Sequence, residues 1–133
     1  YKPLKGTIIF KGKNITNQST QKIAKMGIVR TFQKTNVFMD MDVFHNVYLG
    51  HHIRYQTSIL QQFLGRSRAV IEDERNFKRD TLEIIEYLGL FSYKNEKAKN
   101  LTHGLLRVLE IAIALAVKPK LLLLDEPFTG MNT

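Results

Sequence analysis

Two adjacent carboxylates, Asp125 and Glu126, follow a run of four leucines and precede a proline. An apolar run of this kind is typical of a strand in a parallel sheet, and open α/β sheets bind ligands at the carboxyl ends of their strands. Neighbouring side chains at a strand end point in different directions. Asp125 can therefore hold Mg²⁺ through a water, while Glu126 polarises a water that attacks a phosphate. The alternative is a strand that ends in a solvated acidic turn, which the four leucines and the proline disfavour.

A second candidate site is the start of a predicted helix at Leu101-Thr102-His103-Gly104, about twenty residues before that strand. A helix start offers unpaired backbone N–H groups and the positive end of the helix dipole, and a glycine lets a phosphate approach closely. Taken alone, a threonine cap with a nearby glycine is most often only a helix start. Its interpretation depends on the neighbouring motifs.

Hydrophobic periodicity and turn residues predict the elements that position these groups. The predicted strands are a hairpin built on Thr7 to Phe10 and Ile15, Ile28 to Phe32, and a buried strand at Leu121 to Leu124. The predicted helices are a short one from Ser19 or Thr20 to Ala24, a short amphipathic one around Val43 to Tyr48, a long one from Ser67 to Leu88 that stops at Gly89, and a buried one from Leu105 to Val117. A polar loop is expected from Gln33 to Asp40.

The composition of the 133 residues predicts one compact domain. No apolar run approaches the roughly 20 residues that span a bilayer, and the chain has no cysteine for a disulfide or a thiolate metal site. The net charge of +8 would suit a polyanion, but the lysines and arginines are scattered without a dense tract or interleaved aromatic residues. Nucleic acid is therefore not expected as a partner. His45, His51 and His52 have no acidic or cysteine neighbours at a convincing metal spacing.

The order of the motifs is informative. Gln33 follows a predicted strand, then come the Thr102-His103-Gly104 helix start, the Asp125-Glu126 pair, and Gly130-Met131-Asn132. In this order the sequence resembles ABC-type ATPases over essentially its whole length. The resemblance identifies Arg30 to Gln33 as the Q-loop, Leu101 to Gly104 as the ABC signature, Asp125-Glu126 as Walker B and Gly130 to Asn132 as the D-loop.

The resemblance implies an α/β P-loop NTPase fold, with ATP and Mg²⁺ as cofactors. Residues 1–32 would be part of the ATPase core, 33–100 the Q-loop and helical subdomain, and 101–133 the signature helix, Walker B strand and D-loop. Glu126 and Gln33 would be catalytic, and Asp125 and Gln33 would bind the metal. Three residues would contact the nucleotide: Thr102, Gly104 and Asn132.

Within the family, the sequence around Gly27 to Gln33, Val43 to His51 and Phe128 to Asn132 is most similar to ATPases of branched-chain amino acid importers. The resemblance therefore implies a peripheral subunit on the cytoplasmic face of the cell membrane. Its partners would be membrane subunits, contacted through the Q-loop and a groove near Phe38, Phe44 and Tyr48, and a second ATPase subunit. Simple core packing is the alternative for these three aromatic residues.

The sequence departs from the family pattern in two ways. Leu105 and Leu106 stand where this subfamily usually has glutamines, and Ile113 replaces an arginine common on that helix. These apolar residues suggest a catalytically degenerate ATP-binding or scaffold subunit as an alternative, although Glu126 argues against it; a basic nucleic-acid-binding module is a more distant one.

The second departure is that no Gly-x-x-x-x-Gly-Lys-Ser/Thr loop occurs in the sequence. Tyr1 looks like an internal cut, and the resemblance places that loop upstream and the switch histidine downstream of these residues. Because several charge-assisted phosphate contacts would be missing, the isolated chain is expected not to turn over ATP.

Overall fold

A computed structural model describes residues 5–30, 37–54 and 68–125. The helices in these ranges are α1 (Thr20–Lys25), α2 (Val43–Arg54), α3 (Arg68–Tyr87) and α4 (His103–Ala116). The strands are β1 (Ile9–Phe10), β2 (Lys13–Asn14), β3 (Ile28–Arg30) and β4 (Leu121–Leu123), and two 3₁₀ turns occupy Phe91–Tyr93 and Ala98–Asn100. Helices and strands thus combine as predicted for an α/β fold.

The predicted hairpin is confirmed, because β1 and β2 pair antiparallel with Phe10 opposite Lys13. The short helix α1 then begins after Ser19, whose hydroxyl accepts a hydrogen bond from the backbone N–H of Lys22 at 3.4 Å. The helix is followed by Gly27, which adopts a left-handed conformation with φ of 92°. Such a φ favours glycine, so this turn directs the chain into β3.

Helices α2, α3 and α4 pack on one another and enclose the hydrophobic core. The long helix α3 has 20 residues, about 30 Å, and ends before Gly89, whose φ of 71° is typical of a helix stop. Both features confirm the prediction for this segment as far as it is described; Ser67 lies outside the described residues. The core is formed by Val37, Val43, Val47, Ile85, Leu90, Ala98, Leu101, Leu109, Ala112 and Ala116.

Strands β3 and β4 pair in parallel, with Ile28 opposite Leu121 and Arg30 opposite Leu123. The parallel strand predicted after α4 is therefore confirmed, but its predicted burial is wrong in the described chain. Leu121, Leu123 and Leu124 are 39%, 46% and 45% exposed. Within the described ranges β4 is hydrogen-bonded to β3 alone, so these leucines lack the neighbouring strands of a full parallel sheet.

The expected loop from Gln33 to Asp40 is described from Val37 onwards, where the chain is irregular and turns before α2. The end of the predicted strand at Phe32 lies outside the described residues. Among the helices that the structure describes, none is both long and apolar enough to cross a membrane.

Candidate nucleotide site

Asp125 lies directly beyond β4, at the carboxyl end of the parallel pair. Its side chain is 34% exposed, and its Oδ2 atom accepts a hydrogen bond from the guanidinium of Arg30 at 2.5 Å. Arg30 is the last residue of β3, and its side chain is 60% exposed. Asp125 is thus where the leucine run predicts it, but in an ion pair that sequence reasoning missed.

The Arg30–Asp125 pair could not be read from the sequence, because the two residues are 95 positions apart and meet only through the β3–β4 pairing. The available signal was a charged residue at the end of an apolar strand, just before the predicted Q-loop. A charge in that position suggests a partner at the same edge of the sheet.

The donor set at this edge suits Mg²⁺. No group of three metal-binding side chains occurs among the described residues. Mg²⁺ does not need one, since it keeps several waters and is bound by one or two carboxylates together with substrate phosphates. The partly exposed carboxylate of Asp125 fits that role. A metal bound to it would lie next to the positively charged guanidinium of Arg30.

The predicted helix cap at Thr102 is confirmed. The Thr102 hydroxyl accepts a hydrogen bond from the backbone N–H of Leu105 at 3.3 Å, and α4 starts at His103. Thr102 and His103 are exposed, and Gly104 is half-buried in the first turn. An exposed helix start of this length presents backbone donors to an anion.

The three apolar residues of α4 that depart from the family pattern all contribute to packing. Leu105, Leu106 and Ile113 are partly buried and pack against the hydrophobic core. Arg107, between them, pairs with Glu110 on the next turn of α4 at 2.8 Å. The apolar substitutions therefore hold α4 on the helical core.

The loop that leads into α2 is fixed by a buried asparagine that sequence reasoning missed. Asn46 is 1% exposed, and its side-chain amide accepts from the N–H of Phe38 at 2.8 Å. The same amide donates to the carbonyls of Phe38, Met41 and Asp42 at 2.9–3.1 Å. The sequence signal for this contact was an asparagine within a predicted helix, because such a side chain tends to form hydrogen bonds with nearby backbone groups.

This loop is also tied to the segment that precedes Thr102. The first amides of α2, at Val43 and Phe44, donate to the carbonyls of Glu96 and Lys94 at 3.0 and 2.9 Å. Lys99 forms an ion pair with Asp40 at 2.8 Å, and this pairing lowers the pKa of the Asp40 carboxyl. The segment after the predicted Q-loop and the segment before the predicted signature therefore form one hydrogen-bonded unit.

The three aromatic residues of the expected groove have different environments. Phe38 is 58% exposed. Phe44 is half-buried against the core, and its ring stacks on that of Tyr48 with centroids 6.0 Å apart. Phe44 thus packs in part as a core residue, while Phe38 presents its ring to the surface.

Three of the predicted site residues, Gln33, Glu126 and Asn132, lie outside the described residues. Among those described, Thr102 and Gly104 share the start of α4, and Asp125 follows β4. The carboxyl ends of parallel strands are where open α/β proteins bind their ligands, so the edge of the β3–β4 pair is the candidate binding site.

Comparison with known proteins identifies the family. The family described as ABC transporter matches residues 1–129, and the chain belongs to it. It is 34% identical to the high-affinity branched-chain amino acid transport ATP-binding protein LivG of Escherichia coli (strain K12), over 99% of this chain and 51% of that protein. It is also 34% identical to the probable branched-chain amino acid transport ATP-binding protein LivG of Archaeoglobus fulgidus, over 99% of this chain and 50% of that protein.

Solved structures agree with this assignment. A nucleotide-free ATP-binding cassette from an ABC transporter matches with a TM-score of 0.70 and 31% identity, over 98% of this chain and 50% of that one. The ADP conformation of the ATP-binding cassette MJ1267 matches with a TM-score of 0.70 and 29% identity, with the same coverage. The chain thus spans about half the length of the relatives it matches, and it has the fold of a P-loop NTPase of the ABC type.

Proposed function

We propose that this chain is part of the ATP-binding subunit of an ABC transporter, which couples ATP hydrolysis to transport. The observation that carries the proposal is the position of Asp125, at the carboxyl end of a parallel strand, in a chain whose residues 1–129 match the family. A partly exposed carboxylate at this edge has the charge and the location to hold the metal of a bound nucleotide.

The roles of the residues follow from their chemistry. Mg²⁺, held by Asp125 with help from Gln33, would neutralise charge on the phosphates of ATP. Glu126 would accept a proton from the attacking water, and Gln33 would orient that water. Other contacts to the nucleotide would come from Thr102, Gly104 and Asn132, and the exposed N-terminus of α4 supports the first two of these contacts.

The proposed subunit works with partners. A second ATPase subunit would place its own Asp125 region against the signature of this one, so that Thr102 and Gly104 contact nucleotide bound by the other copy. Membrane subunits would contact the Q-loop and the surface near Phe38 and Tyr48, on the cytoplasmic face of the membrane. The exposed ring of Phe38 supports a contact there.

Branched-chain amino acids are the proposed cargo, and import is the proposed direction. Support comes from the relatives, which are described as branched-chain amino acid transport ATP-binding proteins at 33–34% identity. The cargo itself would contact the membrane subunits and not this chain.

A catalytically degenerate or scaffold subunit is the second candidate. It is supported by the packing of Leu105, Leu106 and Ile113 against the core, since those positions no longer offer polar groups to a nucleotide. Such a subunit would bind ATP without turning it over, which the following experiment detects.

The experiment compares Glu126→Gln and Asp125→Asn in a chain that includes the phosphate-binding loop. Glu126→Gln keeps shape and hydrogen bonding but removes the base, so hydrolysis should fall by about 10² to 10⁴ while ATP binding persists. Asp125→Asn should instead weaken Mg²⁺-dependent binding, because it removes a metal ligand. Nucleotide affinity and phosphate release are measured on both variants and on the parent.

Two results would change the proposal. If Glu126→Gln hydrolyses ATP within about threefold of the parent, far less than the loss of a general base, the base is another residue. If the parent itself binds ATP but releases no phosphate, the degenerate subunit is the correct function.

A further inference from the structure

The ion pair between Arg30 and Asp125 joins the end of β3 to the carboxylate that follows β4, with 2.5 Å between a guanidinium nitrogen and Oδ2. We propose that Arg30 is a positioning residue that holds Asp125 in the absence of metal and competes with the divalent cation for its carboxylate. The inference rests on the proposed function, in which Asp125 is the metal's carboxylate.

The backbone places Arg30 for this contact. β3 and β4 run in parallel with Arg30 opposite Leu123, so the arginine reaches a carboxylate two residues further along the neighbouring strand. The pairing is specific: in the part of the chain that the structure describes, Asp125 is the acidic side chain with which Arg30 forms an ion pair. The guanidinium carries a permanent positive charge, so it always presents a cation to this carboxylate.

A metal and a guanidinium at the same carboxylate oxygen repel each other, because both are cations, so they compete for that oxygen. The cation must therefore displace Arg30 or bind against its charge. Since the two side chains are 60% and 34% exposed, solvent weakens the pair. Its removal should accordingly strengthen metal binding only modestly, about threefold to fivefold, the upper part of the range of an exposed ion pair.

The test uses Mn²⁺ as a probe for Mg²⁺ on the chain itself. Paramagnetic broadening of the backbone amides of Leu124 and Asp125 during a Mn²⁺ titration gives an affinity specific to this edge of the sheet. Arg30→Gln should bind Mn²⁺ about threefold to fivefold more tightly than the parent. Arg30→Lys, which keeps the charge but loses the planar fork, should lie between them.

Two variants serve as controls. Arg79→Gln removes the same charge from an exposed arginine on α3 that also pairs with carboxylates, at 3.5 and 3.7 Å, and should leave the affinity at Asp125 unchanged. Asp125→Asn should abolish the broadening. Far-UV circular dichroism and the dispersion of the amide spectrum verify that each variant is folded.

The outcomes separate this inference from the proposed function. If Arg30→Gln and Arg30→Lys bind Mn²⁺ as weakly as the parent or more weakly, while Asp125→Asn still abolishes binding, the inference about Arg30 is overturned and the metal role of Asp125 stands. If Arg79→Gln strengthens binding equally, net charge is the cause and the inference is overturned as well. If Asp125→Asn changes nothing, both the inference and the metal role of Asp125 are wrong.

Discussion

His51 is a buried titratable residue of α2, and its ring packs against α3. It is 2% exposed, its ring stacks on Phe77 with centroids 5.1 Å apart, and its Nε2 atom has no hydrogen-bond partner among the described residues. Burial lowers the pKa of His51. The charged groups that face it are Asp80 on α3, Lys118 after α4 and His52 on its own helix; Asp80 acts in the opposite direction and raises the pKa.

This environment predicts a loss of stability in mild acid. The unfolded chain binds a proton on His51 below a pKa of about 6.5, whereas the folded chain does so only at lower pH. The free energy of unfolding should therefore be unaffected by this group above about pH 6.5, and should decrease as the pH falls below that value, by at most about 1.4 kcal/mol per pH unit. Urea unfolding of the parent between pH 5 and 8 measures this slope.

In His51→Gln the slope should disappear, while the exposed His103→Gln should keep it. Asp80 is a half-buried carboxyl that faces His51, and its hydrogen bond and ion pair with Lys118 lower its pKa. A lowered carboxyl pKa contributes stability that is lost only below about pH 4, so the two groups act in different ranges. If His51→Gln retains the full slope between pH 5 and 6.5, the histidine is not its source.

Single residues differ in how far the sequence reveals them. The cap at Thr102 and the position of Asp125 follow from local patterns, so they could be predicted. The partners of Arg30 and His51 could not be predicted, because they are distant in sequence. The partner of Arg30 follows β4, and the charged neighbours of His51 lie on α3 and after α4. Residue types predicted the chemistry, but only the fold determines which charges meet.

Helices α2 and α4 approach each other closely at Gly50. A Cβ atom added at Gly50 would lie 2.7 Å from the carbonyl oxygen of Ile113 and 2.8 Å from the Cβ of Ala116. Real Cβ atoms do not approach so closely, and backbone is one of the two groups in the way. Glycine at this position thus allows the two helix backbones to come together.

Gly50→Ala should destabilise the chain by about 1–3 kcal/mol, the usual cost of adding a methyl group to a tightly packed core. Alanine favours the helix over glycine by about 1 kcal/mol, so the substitution lowers the free energy of unfolding only if the added methyl group clashes with α4. Lys78→Ala, an exposed change on α3, should stay within about 0.5 kcal/mol of the parent. Urea unfolding midpoints measure both variants, and a Gly50→Ala chain as stable as the parent would mean that α2 and α4 separate easily.

The elements were predicted with unequal success. Long helices such as α3 and α4 show clear periodicity and end shortly before Gly89 and Lys118, so their C-terminal ends could be predicted closely. The burial of β4 could not be predicted, because it depends on which other segments of the chain pack against the leucines. The pairing of β3 with β4 likewise joins strands about 90 residues apart, and local sequence does not encode it.

Over the whole molecule, charge and core are unevenly distributed. Lysines and arginines are scattered along the chain, but the first acidic residue is Asp40. Eight lysines and arginines precede it, and their summed charge is the same as the net charge of the whole chain, +8. Five of these eight residues lie in the hairpin, α1 and β3, so this part of the chain is strongly basic. The core, by contrast, lies among α2, α3 and α4.

This distribution predicts unequal local stability. Two-stranded β pairs are marginal in water, and β1–β2 has the added repulsion of its lysines, whereas the helices share a buried core. Amides of α4 such as those of Leu109 and Ala112 should exchange with deuterium most slowly, and those of β1, β2 and β4 faster by orders of magnitude. Hydrogen exchange measured on proteolytic peptides covering residues 5–30, 43–54 and 103–125 tests this.

The Gly50→Ala variant makes the test sharper. If the helical core opens as a unit separate from the β pairs, the substitution should increase exchange in α2 and α4 and leave β1 and β2 unchanged, because the hairpin makes no use of the α2–α4 crossing. If the chain instead unfolds in one cooperative step, every protected amide would be affected by the same factor. Equal protection of β4 and α4 in the parent would show that the exposed leucines are held as firmly as the core, contrary to what their exposure predicts.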